Sequence, residues 1–134
     1  MDTLALLNQM SKNTLVEHLG IVITKAEKGY IEAMMPVDDR TVQPMRLLHG
    51  GATAALAETL GSIGSVMLID HEKETTVGVD LNINHLRSAT EGQVIGKAKV
   101  IHQGRKVHVW QIDVFKEDGK QISSARLTTM VVPL

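Results

Sequence analysis

The chain has no cysteine among its 134 residues, so disulfides, thiolate metal sites and cysteine redox chemistry are excluded. Aromatic side chains are almost as scarce. Tyr30, Trp110 and Phe115 are the whole set, too few to build a stacking platform for single-stranded nucleic acid. An excess of one charge is lacking too: 14 basic against 15 acidic residues leave a net charge of -1. No global attraction to nucleic acid or to an anionic membrane is therefore expected. The opening MDTLALLNQMSKN carries neither a basic start nor a long apolar run, so no secretory signal is expected and the cytoplasm is the expected compartment. The six histidines show no HxxxH or HExxH spacing. Walker, Rossmann and GxSxG patterns are missing as well, so neither a metal nor a bound cofactor is expected.

What is present is 43% hydrophobic residues in a chain of ordinary domain length, long enough to bury a core without staples. No repeat, linker or low-complexity tract divides it, so residues 1–134 read as one domain. An enzyme or a small-molecule binder remains.

Leu4, Leu7 and Met10 stand at helical spacing in residues 3–10, and Asn13 is placed to cap a short helix over 14–18. IVITKAE and YIEAMMPV flank Lys28-Gly29 as a hairpin. Residues 38–48 form a polar loop around Pro44. Residues 50–69 are the one long helix candidate, apolar on nearly all sides and hence a buried central helix. Its glycines and Glu58 argue against a membrane span. In 77–84 the odd positions Val77, Val79, Leu81 and Ile83 alternate with polar or small residues, predicting a strand with one buried face. Segments 93–102, 106–116 and 121–132 complete the strands, with Asp118-Gly119 as a hairpin turn. The expected fold is α+β: one antiparallel sheet wrapped around the 50–69 helix, because no other layer exists to cover it.

Glu58 is the only charge between His49 and Asp70. A carboxylate on a buried helix must be paired, protonated or functional. The blander alternative is a narrow polar stripe with Ser62 and Ser65. His49-Gly50-Gly51 precedes the helix, where backbone N–H groups and the helix dipole suit a carbonyl oxygen that becomes an oxyanion. A tight turn with a solvated histidine would read the same way. His49 and Glu58 lie nine residues apart, which on a helix is roughly 13.5 Å of rise and half a turn out of phase. They do not readily meet at one reacting atom within a chain, so a site using both implies an oligomer. His85, Arg87 and Ser88 form one basic cluster, and His102, Arg105, Lys106 and His108 another. Each suits an anionic substrate or a solvated strand end. Met34, Met35 and Met45 offer an apolar lining for an acyl group.

At QPMRLLHGGATAALAETLGSIGS the chain resembles the hotdog-fold acyl-CoA thioesterases. The branch is the one holding Arthrobacter-type 4-hydroxybenzoyl-CoA thioesterase, 1,4-dihydroxy-2-naphthoyl-CoA hydrolase and the enterobactin-pathway proofreading thioesterase. The likeness extends through EAMMPVDDRTVQP, NINHLRSATEG, VWQIDVF and SARLTT, nearly the whole chain. The resemblance implies a hotdog fold, assembly as a homodimer or a dimer of dimers, and hydrolysis of a small, aromatic acyl-CoA without metal or cofactor. It implies Glu58 as the catalytic carboxylate, acting as nucleophile or as base for water. The Gly50 N–H would polarise the thioester carbonyl, aided by Gln43 and His49 from the facing subunit. Thr59 and Ser62 match small hydroxyl residues near the reacting centre. Gly78, the stretch His85, Leu86, Arg87 and Ser88, and the turn His102, Gln103, Gly104, Arg105, Lys106 and Val107 match regions that contact the CoA ester. Met45 and Arg46 depart from the Phe-Gly of the family's QPFGLLHGG, which bears on the acyl group accepted. Two other readings stay open: a non-catalytic acyl-CoA-binding protein, and a thioesterase for phenylacetyl- or fatty acyl-CoA. A hydratase would need a different acid–base pair.

Overall fold

The computed structural model describes residues 2–134. Two short helices, α1 (Thr3–Met10) and α2 (Leu15–His18), lead into the hairpin β1 (Val22–Glu27) and β2 (Tyr30–Pro36). The long helix α3 (Gly50–Val66) follows, then β3 (Glu74–His85), β4 (Gln93–Gln103), β5 (Val107–Lys116) and β6 (Gln121–Pro133). All six strands form one antiparallel sheet in the order β1-β2-β4-β5-β6-β3. The sheet curls around α3, which touches every strand from β2 to β6. This is the wrapped-helix architecture expected from a chain with one long apolar helix and no second layer.

The burial patterns of β2, β5 and β6 show why: in β5, His108, Trp110, Ile112 and Val114 face α3 while the residues between them face outward. Leu56 and Leu60 of α3 are fully buried among Ile112, Leu127 and Trp110. Gly64 lets the helix approach closely: a Cβ there would fall inside the Trp110 indole. A polar knot closes that end of the core. Trp110 Nε1–H donates to Ser65 Oγ (2.8 Å), which is also bonded to Thr129 Oγ1 (2.7 Å) and His108 Nδ1 (3.0 Å). Burial pushes the pKa of His108 below that of a free imidazole; nearby His102 lowers it further, and Glu74 opposes both. Ser65 therefore belongs to the core and not to a polar stripe shared with Glu58.

Three expectations need correction. The helix stops at Val66, not at residue 69: Met67 caps it and Leu68 N–H turns back to Ser65 O (3.0 Å), so the apolar run MLI continues as a turn. Thr14, not Asn13, occupies the cap position of α2, and Asn13 instead takes φ 63, the left-handed conformation that asparagine tolerates. The alternation in β3 fails half-way. Leu81 and Ile83 are partly buried against the core, but Val77 and Val79 are 47% and 55% exposed. A bulge between Gly78 and Asp80 shifts the register against β6 and breaks the two-residue period there.

Candidate active site

The loop before α3 is built from local hydrogen bonds. Thr41 Oγ1–H donates to Pro36 O (2.8 Å) and accepts from Asp38 N–H (3.1 Å), and Val42 bridges Leu48 across the neck. At the tip, Arg46 N–H donates to Gln43 O (2.8 Å), and the Met45 N–H donates to Gln43 Oε1. With its carbonyl oxygen held by its own turn, the Gln43 side chain keeps its NH2 for donation outward. Arg46 sits at φ 69, in the region that favours glycine, and is ion-paired with Asp39. The Arg46 departure from the family pattern thus falls where an L-side chain is strained and a countercharge holds it.

His49 is the N-cap of α3, and its Nδ1 accepts the Gly51 N–H at 2.7 Å. An accepting Nδ1 leaves the ring proton on Nε2, so this imidazole is a neutral donor on its outer edge. Among the described residues no acceptor takes the Gly50 N–H, the first free donor of the helix. The His85 ring lies against Gly50; a Cβ there would sit 2.9 Å from His85 Nε2. Gln43, Gly50, His85, Arg87 and Ser88 share a cavity of about 220 Å³ with Leu47, Leu48, Thr53 and Ile122. Arg87 is fixed by donation from Nη1 to Gln121 O (2.8 Å). His49 does not line this cavity, and Leu86 points out of it, 54% exposed.

Glu58 lies elsewhere. It lines a mainly apolar cavity of about 390 Å³ with Thr59, Ser62 and Ile63 of α3 and with Leu7, Met10 and Val16 of α1 and α2. It is partly buried and takes part in none of the ion pairs among the described residues. Its carboxylate rests directly on Gly78 of the edge strand β3, in space that any Cβ at that position would fill. The donors and the carboxylate thus occupy two separate cavities of one chain. The turn from His102 to Val107 lines neither cavity. It is mostly exposed, with Gly104 N–H donating to Val107 O (2.8 Å). Of the methionines read as an acyl lining, Met35 is fully buried in the core and Met45 is 78% exposed; Met10 is the one that lines the Glu58 cavity. The signal for it was the i, i+3 pair Leu7 and Met10 on a helix too short to bury itself. Among the described residues no cluster of metal-ligating side chains occurs, and no helix is long and apolar enough to cross a membrane.

The Thioesterase superfamily model matches residues 45–123, from the tip of this loop through α3 and into β6. The chain belongs to the thioesterase superfamily. It is 49% identical to the proofreading thioesterase EntH of Klebsiella pneumoniae over 130 residues, 97% of this chain and 94% of that protein. A mutant thioesterase from Pseudomonas aeruginosa superposes with a TM-score of 0.96 at 44% identity, covering 100% of this chain and 96% of that one. Two mutants of a Staphylococcus aureus protein, called a thioesterase enzyme, superpose with TM-scores of 0.88 and 0.87 at 40% and 39% identity. They cover 90% and 89% of this chain and 99% and 98% of theirs. The fold is accordingly the hotdog fold, and this thioesterase is a thioester hydrolase whose substrate is an acyl thioester.

Proposed function

We propose that the chain hydrolyses a small acyl-CoA, with an aromatic acyl group favoured, at a site shared between two copies. The observation that carries this is the separation of the carboxylate from the donors. Glu58 stands over the edge strand β3, while Gln43 and Gly50 line a different cavity. A second copy supplies what each half lacks. β3 is a twelve-residue strand at the end of the sheet with Val77 and Val79 exposed, an edge that invites pairing. A two-fold axis through it would set each Glu58 beside the partner's donors, and a second such pairing of dimers would give a tetramer.

In that site Glu58 attacks the thioester carbonyl carbon or takes a proton from a water that does so. On the base route the water oxygen bonds to the carbonyl carbon, charge develops on the carbonyl oxygen, and the C–S bond breaks as the proton taken by Glu58 passes to the leaving sulfur. On the nucleophile route the C–S bond breaks to leave an acyl anhydride on Glu58 and a thiolate, and water then cleaves the anhydride, releasing the acid, restoring Glu58 and supplying the thiolate's proton. Gly50 N–H, the Gln43 NH2 and His49 Nε2–H would receive the developing charge. Thr59 and Ser62 border the reacting carbon, and His85, Arg87 and Ser88 would hold the CoA end. Water is the only co-reactant this chemistry needs, so neither metal nor cofactor enters the reading. The Staphylococcus aureus mutants support it. One replaces a glutamate and the other a glutamine by alanine, fifteen residues apart, the spacing of Glu58 and Gln43 here.

Thiol release from benzoyl-, phenylacetyl- and hexanoyl-CoA tests the substrate class. Turnover of all three with benzoyl-CoA fastest is expected. Binding of all three without thiol release would make the chain an acyl-CoA-binding protein instead.

A further inference from the structure

The tip of the loop that carries Gln43 is held by bonds and not by packing, since Pro44, Met45 and Arg46 are all exposed. Arg46 N–H donates to Gln43 O (2.8 Å), Gln43 N–H donates to Leu47 O (2.8 Å), and Met45 N–H holds Gln43 Oε1. Together these bonds fix the Gln43 backbone and its side-chain oxygen, and hence the direction in which its NH2 is presented. The turn closes back on Gln43 because Arg46 stands at φ 69, where the Cβ of an L-residue crowds its own carbonyl. Relaxation of residue 46 to negative φ would carry Leu47 O away from Gln43 N–H and open the tip.

Asp39 supplies the restraint against that relaxation. It stands on the turn from Asp38 to Thr41, closed by Thr41 N–H donating to Asp38 O (2.9 Å) and by the Thr41 hydroxyl donating to Pro36 O (2.8 Å). Arg40 is engaged with Asp38 through Nε and Nη2, which leaves the Asp39 carboxylate to Arg46. The ion pair ties the exposed tip to this base across seven residues. Its side chains are 66% and 89% exposed, so dissolved salt screens the attraction.

We propose that Arg46 is a positioning residue: paired with Asp39, it keeps residue 46 left-handed and so aims the Gln43 amide at the thioester oxygen. The proposal rests on the reading of Gln43 as a donor to that oxygen. Turnover thereby depends on ionic strength through two residues that line neither cavity. Without the pair, the loop populates tips in which residue 46 has relaxed and the amide has no fixed direction. Gln43 acts on charge that exists only in the transition state, so the loss falls on kcat and not on KM.

Thiol-release kinetics on benzoyl-CoA test it in the full chain. Arg46→Ala and Asp39→Asn should each lower kcat about two- to fivefold with KM unchanged, the weight of one exposed ion pair. Arg46→Gly lacks the pair too but takes the left-handed conformation freely, so it should recover the kcat that alanine loses. Raising NaCl from about 0.05 to about 1 M should lower the kcat of the unsubstituted protein by a similar factor and leave that of Arg46→Gly in place. In a Gln43→Ala background, Arg46→Ala should lower kcat no further. Thermal melts verify that each variant is folded, and a pair that serves stability alone would move the melt and leave kcat untouched. An unchanged kcat in both Arg46→Ala and Asp39→Asn, glycine no better than alanine, or a further loss in the Gln43→Ala background would overturn the proposal. Failure of the donor reading looks different: Gln43→Ala by itself would keep the kcat of the unsubstituted protein, and the positioning role would fall with it.

Discussion

Glu58→Gln is expected to lower kcat by about 10²–10⁴-fold if the carboxylate acts as a base, and by more if it is the nucleophile. Thioester hydrolysis needs an oxygen brought to the carbonyl carbon on the side opposite the donors, and the amide of glutamine can neither attack nor accept the proton. The loss falls on kcat because the missing interaction exists only in the transition state. Stability is expected to survive. Glu58 is partly buried and joins none of the ion pairs among the described residues, so a neutral isostere leaves no charge stranded. Thiol-release kinetics beside a thermal melt separate the two quantities. A variant that keeps near-normal kcat would make the helix charge structural.

Gly78→Ala is expected to lower kcat by about 10²-fold while leaving the fold as stable as before or up to ~1 kcal/mol more so. The methyl group would occupy the space that the Glu58 carboxylate fills. The carboxylate is the far end of a flexible side chain and swings aside at little cost to folding, but an attacking oxygen displaced by an ångström no longer meets its carbon. Gly78 is not among the glycines with positive φ, so alanine fits the backbone. This position thus divides catalysis from stability more sharply than Glu58 itself. Loss of both activity and melting temperature would mean that Gly78 serves the fold. Unchanged activity would mean that the carboxylate does not work from the position it holds over β3.

Much of the architecture was legible because it depends on periodicities that tertiary contacts do not override. The apolar run that opens at Gly50 had to be a core helix, and β5 alternates without a break from Val107 to Val114. The misreadings cluster where a local device interrupts the period. The β3 bulge at Gly78 turned Val77 and Val79 outward, and an apolar stretch with no glycine to stop it hid the end of α3 at Val66. At the site, Glu58 stood out as the one charge on an apolar helix. The wall of its cavity did not, because it comes from α1, fifty residues away in sequence and joined to α3 only by folding. Nor does a sequence show that His49 spends Nδ1 on the Gly51 amide, or that Gln43 spends its oxygen on its own turn. Those two bonds decide which edges of the side chains remain as donors.

The claim on which the rest depends is that each site combines Glu58 of one copy with the donors of another. Mixing the Glu58→Gln chain with a Gln43→Ala chain, each inactive alone, under conditions that exchange subunits tests it directly. Half the dimers in an equal mixture are hybrids. In each hybrid both lesions fall in one site and the other site is intact, so activity should return to about a quarter of the unsubstituted protein's. If each site lay within a single chain, every site in the mixture would carry one lesion, and no activity would return.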